Sequence, residues 1–203
     1  MMFWELFIAN LKETSALEWI AVLSGVAYVI FAAKENIWCW PASLTGVTIY
    51  IFLCFQANLY SEMILQVFYF VMAFYGWSEW LKRKKQLESN PIVSRKITQH
   101  VLGIIAIILI TLVAGYSLKT YTNAALPYLD AFTSVASIYA TYLVAKKVLE
   151  NWLYWIVIDL VSVYIYTNRQ LAMTALLYLF FVIIAIYGYY VWRKNWKKRK
   201  LYA

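Results

Sequence analysis

Residues 101–118 read VLGIIAIILITLVAGYSL, without a single charged side chain. As a helix such a run matches the ~30 Å hydrocarbon core of a bilayer. With its polar flank the segment covers 97–118. Outward from it the chain carries six more apolar segments, near 17–33, 38–55, 62–81, 127–145, 152–167 and 171–192. Over 203 residues, 64% are apolar and 14% are charged. A soluble fold of this size lacks the interior to hide that much apolar area. A soluble enzyme and a disordered chain are therefore excluded. The period-two alternation of a β-barrel is missing, and the segments exceed its ~10-residue strands. The expected fold is an all-α membrane protein with seven transmembrane helices. Segment six is short, and Pro41 sits near the start of segment two, where proline is tolerated.

The net charge of +8 lies in short clusters between apolar segments, which argues against nucleic acid. With a cytoplasmic C-terminus, all but Lys12, Lys119 and Arg169 of the 18 Lys and Arg residues fall inside. That bias orients the chain with its N-terminus outside, and the basic tail faces anionic lipid. The first sixteen residues lack the charged n-region of a signal peptide. Phe3, Phe7, Ile8 and Leu11 share a helical face, so an interfacial helix is expected there. The expected organisation is that helix over 1–16, a triple-helix bundle over 17–81, a basic loop and linker helix over 82–126, a second bundle over 127–192 and a basic cytoplasmic tail over 193–203. Cys39 and Cys54 have no CxxC spacing or Cys/His neighbour and read as packing residues. No metal or cofactor is expected.

The chain repeats itself. Glu35-Asn36 with Trp40 aligns with Glu150-Asn151 with Trp155 at an offset of 115, whereas Tyr75-Gly76-Trp77 with Trp80 aligns with Tyr187-Gly188-Tyr189 with Trp192 at 112. Segments 1–3 thus correspond to 5–7, and the odd connector makes both halves enter the membrane in the same sense. A 3+1+3 parallel repeat of this kind encloses a substrate site near the midplane and works by rocking one bundle against the other.

Asp159 stands in the middle of segment six. A carboxylate there costs about 2.5–3.5 kcal/mol on the lenient insertion scale and must be protonated, paired or facing water. Trp152, Trp155, Asp159, Ser162 and Tyr166 step by three and four, so aromatic surfaces and an acid share one face. That face suits a flat cationic heterocycle. A neutral Asp159 bonded to a neighbouring helix is the plainer alternative. Eight tryptophans fall near inner helix ends. For Trp38, Trp77, Trp80, Trp192 and Trp196 an aromatic belt is expected; for Trp40 and Trp155, one turn deeper, a place on the substrate path. Gln66, which the repeat pairs with Tyr178, shares a stripe with Glu62; Ser43 and Tyr50 add polar groups on segment two. Each can bond substrate or another helix. Gly76 and Gly188 end small-residue faces that serve close packing or a gate. Asn36 and Asn151 precede helices and read as caps. His100 reads as an ordinary interfacial histidine.

Trp152-x-x-Trp155, the Tyr-Gly pairs at 75–76 and 187–188, and the run Asn58-Leu-Tyr-Ser-Glu-Met-Ile-Leu-Gln66 resemble the PnuC family of bacterial vitamin transporters, over roughly residues 17–192. The resemblance implies a SWEET-like seven-helix fold, a homotrimer in the bacterial inner membrane, and facilitated diffusion made one-way by a cytoplasmic kinase that phosphorylates the vitamin. Nicotinamide riboside carriers of the family show Trp-x-x-Trp-x5-Asn-x-Trp. Here Val161 and Val163 replace the Asn and the last Trp. The leading expectation is therefore unphosphorylated thiamin, with nicotinamide riboside as the alternative and riboflavin after it. In the implied mechanism the ring stacks on Trp155 or Trp40, Asp159 offsets its charge, and Gln66 and Tyr178 bond its polar edges. No ion coupling is expected, because no pair of mid-membrane carboxylates is visible, although Asp159 alone can bind a proton.

Other classes fit less well. A retinal photoreceptor needs a lysine in the last span, and 171–192 has none. An intramembrane enzyme needs a His/Asp/Glu cluster or a nucleophile–base pair at depth, and none appears. A membrane scaffold without transport of its own is the remaining rival.

Overall fold

The computed structural model describes residues 15–57, 59–86 and 92–201. The interfacial helix expected over 1–16 lies, up to Thr14, outside them, as does Asn58. Among the described residues there are seven helices: α1 (Ala16–Ala33), α2 (Cys39–Gln56), α3 (Tyr60–Gln86), α4 (Ile97–Tyr121), α5 (Pro127–Ala145), α6 (Asn151–Asn168) and α7 (Ala172–Leu201). Each expected segment falls on one helix. α3 and α7 run past their apolar stretches into the basic residues, so the expected tail is helical to Leu201. The helices α1, α2, α4 and α7 are long and apolar enough to cross a membrane. The exposed side chains of α4, among them Leu102, Ile105, Leu109 and Val113, are the kind that acyl chains cover.

Local chemistry sets the helix ends. The Ser15 hydroxyl accepts from the Glu18 amide at 3.2 Å while the Ser15 amide donates to the Glu18 carboxylate at 2.6 Å. This reciprocal pair satisfies two donors at the start of α1. Pro127 opens α5, where a missing amide hydrogen costs nothing. Helices α1, α5 and α6 end with a left-handed residue, Glu35, Lys147 and Gln170 at φ 54°, 52° and 59°. At each of these ends two amides fold back onto carbonyls of the last turn, for example Glu35 to Ala32 and Asn36 to Phe31.

The chain divides into two compact units, Met1–Pro91 and Ile92–Ala203. In the first, α1 packs on α2 and α2 on α3; in the second, α4 packs on α5, α5 on α6 and α6 on α7. The helix read as a linker is thus part of the second unit. Small residues bring α5 close to its neighbours: Ala131, Ala136, Ala140 and Ala145 are all buried. Where α4 meets α5, the rings of Tyr139 and Tyr128 lie over Gly103 and Gly115.

The repeat holds a single offset. α2 and α6 begin and end 112 positions apart, as do the starts of α3 and α7. The bonds Lys34→Ile30, Glu35→Ala32, Asn36→Phe31 and Cys39→Asn36 recur as Lys146→Tyr142, Lys147→Val144, Val148→Leu143 and Asn151→Val148. The offset of 115 taken from the Glu-Asn pairs is corrected by this. Trp40 corresponds to Trp152, and Trp155 corresponds to Ser43.

Candidate functional site

The packing of the tryptophans decides which aromatic rings stay uncovered. In the first unit Trp40 meets Trp80 edge to face at 5.4 Å and 85°. In the second Trp152 meets Trp192 at 5.5 Å and 90°. A glycine lies against each: a Cβ on Gly76 would come within 2.1 Å of the Trp40 ring, and one on Gly188 within 2.7 Å of Trp152. All four rings are buried. The belt expected for Trp80 and Trp192 is therefore corrected, since each closes over its partner instead of facing lipid. Trp80, Tyr28 and Gly76 pack around the ring of Trp40, the residue expected on the substrate path. Trp192 and Gly188 pack on Trp152 likewise. The indole N–H groups of Trp40 and Trp152 are buried with no hydrogen-bond acceptor among the described residues. Trp38 is 64% exposed.

Trp155 is different. With Tyr154 and Tyr139 it is half-buried against a cluster of Ile107, Ala136, Ala140 and Ile158. One residue past Ile158 comes Asp159, 4% exposed, with Ser162 equally buried one turn on. Neither has a hydrogen-bond or ionic partner among the described residues. The next turn presents Tyr166, whose ring stacks on Tyr178 of α7 at 5.2 Å and 10°. Phe181 closes on Tyr178 edge to face at 5.9 Å. The structure thus brings Trp155, Asp159, Ser162, Tyr166 and Tyr178 into one stretch of α6 and α7: an unpaired acid, a hydroxyl and flat aromatic surfaces. Such a set can neutralise and stack a ring cation.

The remaining residues fall elsewhere. In the first unit Ser43, Tyr50 and Gln66 are half-buried and Glu62 is exposed. Tyr50 lines an open cavity of about 490 Å³ with Glu18, Leu53, Cys54, Gln56, Ala57 and Leu59. Asn36 accepts the Trp38 amide at 3.0 Å, a capping contact ahead of α2. Asn151 does not cap. It is fully buried, its amide nitrogen donates to the Val148 carbonyl at 2.7 Å, and its amide oxygen is unmatched.

Sequence reasoning missed a polar network at the start of α6. His100, expected to be an ordinary interfacial histidine, is buried within the protein. Its Nδ1 lies 3.0 Å from the Tyr154 hydroxyl, and Nε2 lies 3.5 Å from Glu150. Glu150 also accepts from the Ser94 hydroxyl and the Arg95 amide. Val93 pairs with the α5–α6 turn through the Lys147 carbonyl and the Leu149 amide, at 3.0 and 2.8 Å. At the far end of α6, Arg169 holds Asp130 at 2.6 Å.

Comparison with known proteins follows the same lines. Residues 15–194 match the family model described as nicotinamide mononucleotide transporter. The chain is 25% identical to the nicotinamide riboside transporter PnuC of Escherichia coli, over 92% of this chain and 89% of that protein. It is 28% identical to the protein of that name from Neisseria mucosa (88% and 72%), and 24% identical to the riboflavin/roseoflavin transporter RibM of Streptomyces davaonensis (83% and 80%). It superposes on the crystal structure of the vitamin B3 transporter PnuC with a TM-score of 0.75 at 25% identity, covering 97% of this chain and 89% of the other. With seven helices of matching fold and a family match over nearly its whole length, the chain is a helical membrane protein of the nicotinamide mononucleotide transporter (PnuC) family, a family of vitamin transporters.

Proposed function

We propose that the protein is a facilitator that admits a flat, cationic vitamin across the bacterial inner membrane, with nicotinamide riboside the foremost cargo. The relatives that carry that name support the choice. The observation behind the class of cargo is Asp159, a buried acid without a partner among the described residues, near Ser162 and the stacked Tyr166 and Tyr178. A permanent ring cation supplies the charge that this carboxyl lacks, and Trp155 offers it a face. Gln66, Ser43, Tyr50 and Glu62 are proposed as further polar contacts, and Gly76 and Gly188 as points about which helices tilt. The 3+1+3 parallel arrangement, the outside N-terminus and a homotrimeric assembly belong to this reading. So does direction imposed by phosphorylation of the cargo in the cytoplasm.

Thiamin is the second reading. Val161 and Val163 stand where the nicotinamide riboside motif has an amide and an indole. Titration calorimetry with nicotinamide riboside, thiamin and riboflavin separates the two. Tightest binding of nicotinamide riboside is expected, and tighter thiamin would reverse the order. Counterflow of the bound vitamin in proteoliposomes then tests transport itself, and its absence for every vitamin would leave a scaffold.

A further inference from the structure

The two units finish differently at the ends where α1 and α5 begin. Under the offset of 112, Glu18, Cys54, Ala57 and Gln66 correspond to Asp130, Tyr166, Arg169 and Tyr178. In the second unit the Tyr166 ring stacks on Tyr178, and the Arg169 guanidinium reaches Asp130 at 2.6 Å. In the first unit a thiol and a methyl group stand in place of that ring and that guanidinium. There the open cavity of about 490 Å³ lies, walled by Glu18, Tyr50, Cys54, Gln56 and Ala57 among others. Its size suits a small molecule. The Glu18 carboxylate accepts from the Ser15 amide and meets no basic side chain among the described residues. Glu62, in the first turn of α3, adds a second acid whose charge is felt at Cys54. Lys34 and Lys82 lie toward the opposite ends of α1 and α3.

We infer that this cavity, made wholly by the first unit, is a receiving site for the cationic vitamin. Glu18 attracts the ring cation, Tyr50 gives it an aromatic wall and Gln56 a hydrogen-bonding edge. This rests on the cargo proposed above and on the N-terminus facing outside, which puts this end of the unit at the outer surface. In the second unit the matching acid is already neutralised by Arg169, so the cargo's charge finds its partner on the first. A site of this kind raises the concentration of cargo at the mouth of the carrier. It leaves the end point of facilitated diffusion unchanged, because it supplies no energy and favours arrival and departure alike.

Cys54 gives the cavity a thiol of its own, and Cys39, 0% exposed, serves as an internal control. The full-length protein, in right-side-out and inside-out membrane vesicles, is treated with two impermeant methanethiosulfonates, one bearing a trimethylammonium group and one a sulfonate. Labelling of Cys54 is read by mass spectrometry, and each rate is divided by that for a small free thiol. From the outer face the cationic reagent should react faster by about fivefold at low salt, the pull of one carboxylate at contact distance, and by less at high salt. Glu18→Gln, which keeps the capping pair of α1, should remove most of this preference. So should Ala57→Arg, which copies the ion pair of the second unit. Nicotinamide riboside and thiamin should each slow the labelling, in Asp159→Asn as in the wild type. An inert Cys54, equal rates for the two reagents, a preference unmoved by Glu18→Gln, or labelling from the inner face alone would overturn the receiving site. So would the absence of protection by either vitamin, or protection that is lost in Asp159→Asn. Counterflow of the vitamin would stand through all of these. Protection of Cys54 without counterflow of any vitamin would remove the transport reading and leave the site.

Discussion

The two units share a frame and differ in what it carries. Trp40, Gly76 and Trp80 recur as Trp152, Gly188 and Trp192 with nearly the same ring distance and angle. On the intervening turns the correspondence breaks. Asp159 stands where the first unit has Val47, and Ser162 where it has Tyr50. At the helix ends, Asp130 and Arg169 form an ion pair, whereas the corresponding Glu18 and Ala57 line an open cavity. The packing positions are the ones a repeated frame keeps, because a ring lodged against a glycine tolerates little change in volume. Asp159, Ser162, Asp130 and Arg169 lie outside these ring–glycine contacts, and there the two copies differ.

The strongest way to break the equivalence is to empty the ring pairs. Trp40→Ala and Trp152→Ala should each cost about 3–5 kcal/mol in thermal unfolding. A large loss at one site and none at the other would end the comparison. Next are Gly76→Ala and Gly188→Ala, at about 1–3 kcal/mol through overpacking, with Gly76 the worse because its Cβ would come closer to the ring, at 2.1 Å against 2.7 Å. Smaller again, Asp159→Asn should weaken calorimetric binding of a cationic vitamin by about tenfold, near 1.4 kcal/mol. Val47→Ala at the corresponding position should leave that affinity unchanged. Smallest, Ala57→Arg should give Glu18 the partner that Asp130 already has. It should raise the melting temperature by no more than about 1 kcal/mol allows, less in high salt.

Hydropathy alone made the seven helices legible, since each span needs a long apolar run and the loops between them are short. The oddity of Asp159 was equally visible, because a mid-span acid is rare in any membrane helix. The fate of the tryptophans was not. A tryptophan near a span end reads as a belt residue whether it faces lipid or a glycine on the next helix, and Trp80 and Trp192 face inward. The Glu-Asn pairs misled the alignment, because they match in letters while the backbone bonds match three residues away. The His100 network was hidden for another reason. It depends on Val93 pairing with the turn after α5, a contact across more than fifty residues that no local pattern encodes.

The left-handed ends of α1, α5 and α6 offer a practical route to a hardier protein. Glu35, Lys147 and Gln170 hold a backbone shape that side chains other than glycine resist, at roughly 1 kcal/mol each. Gln170 is exposed, so replacing it with glycine sheds strain without removing a buried contact. A preparation that outlasts detergent during purification could start from that one codon.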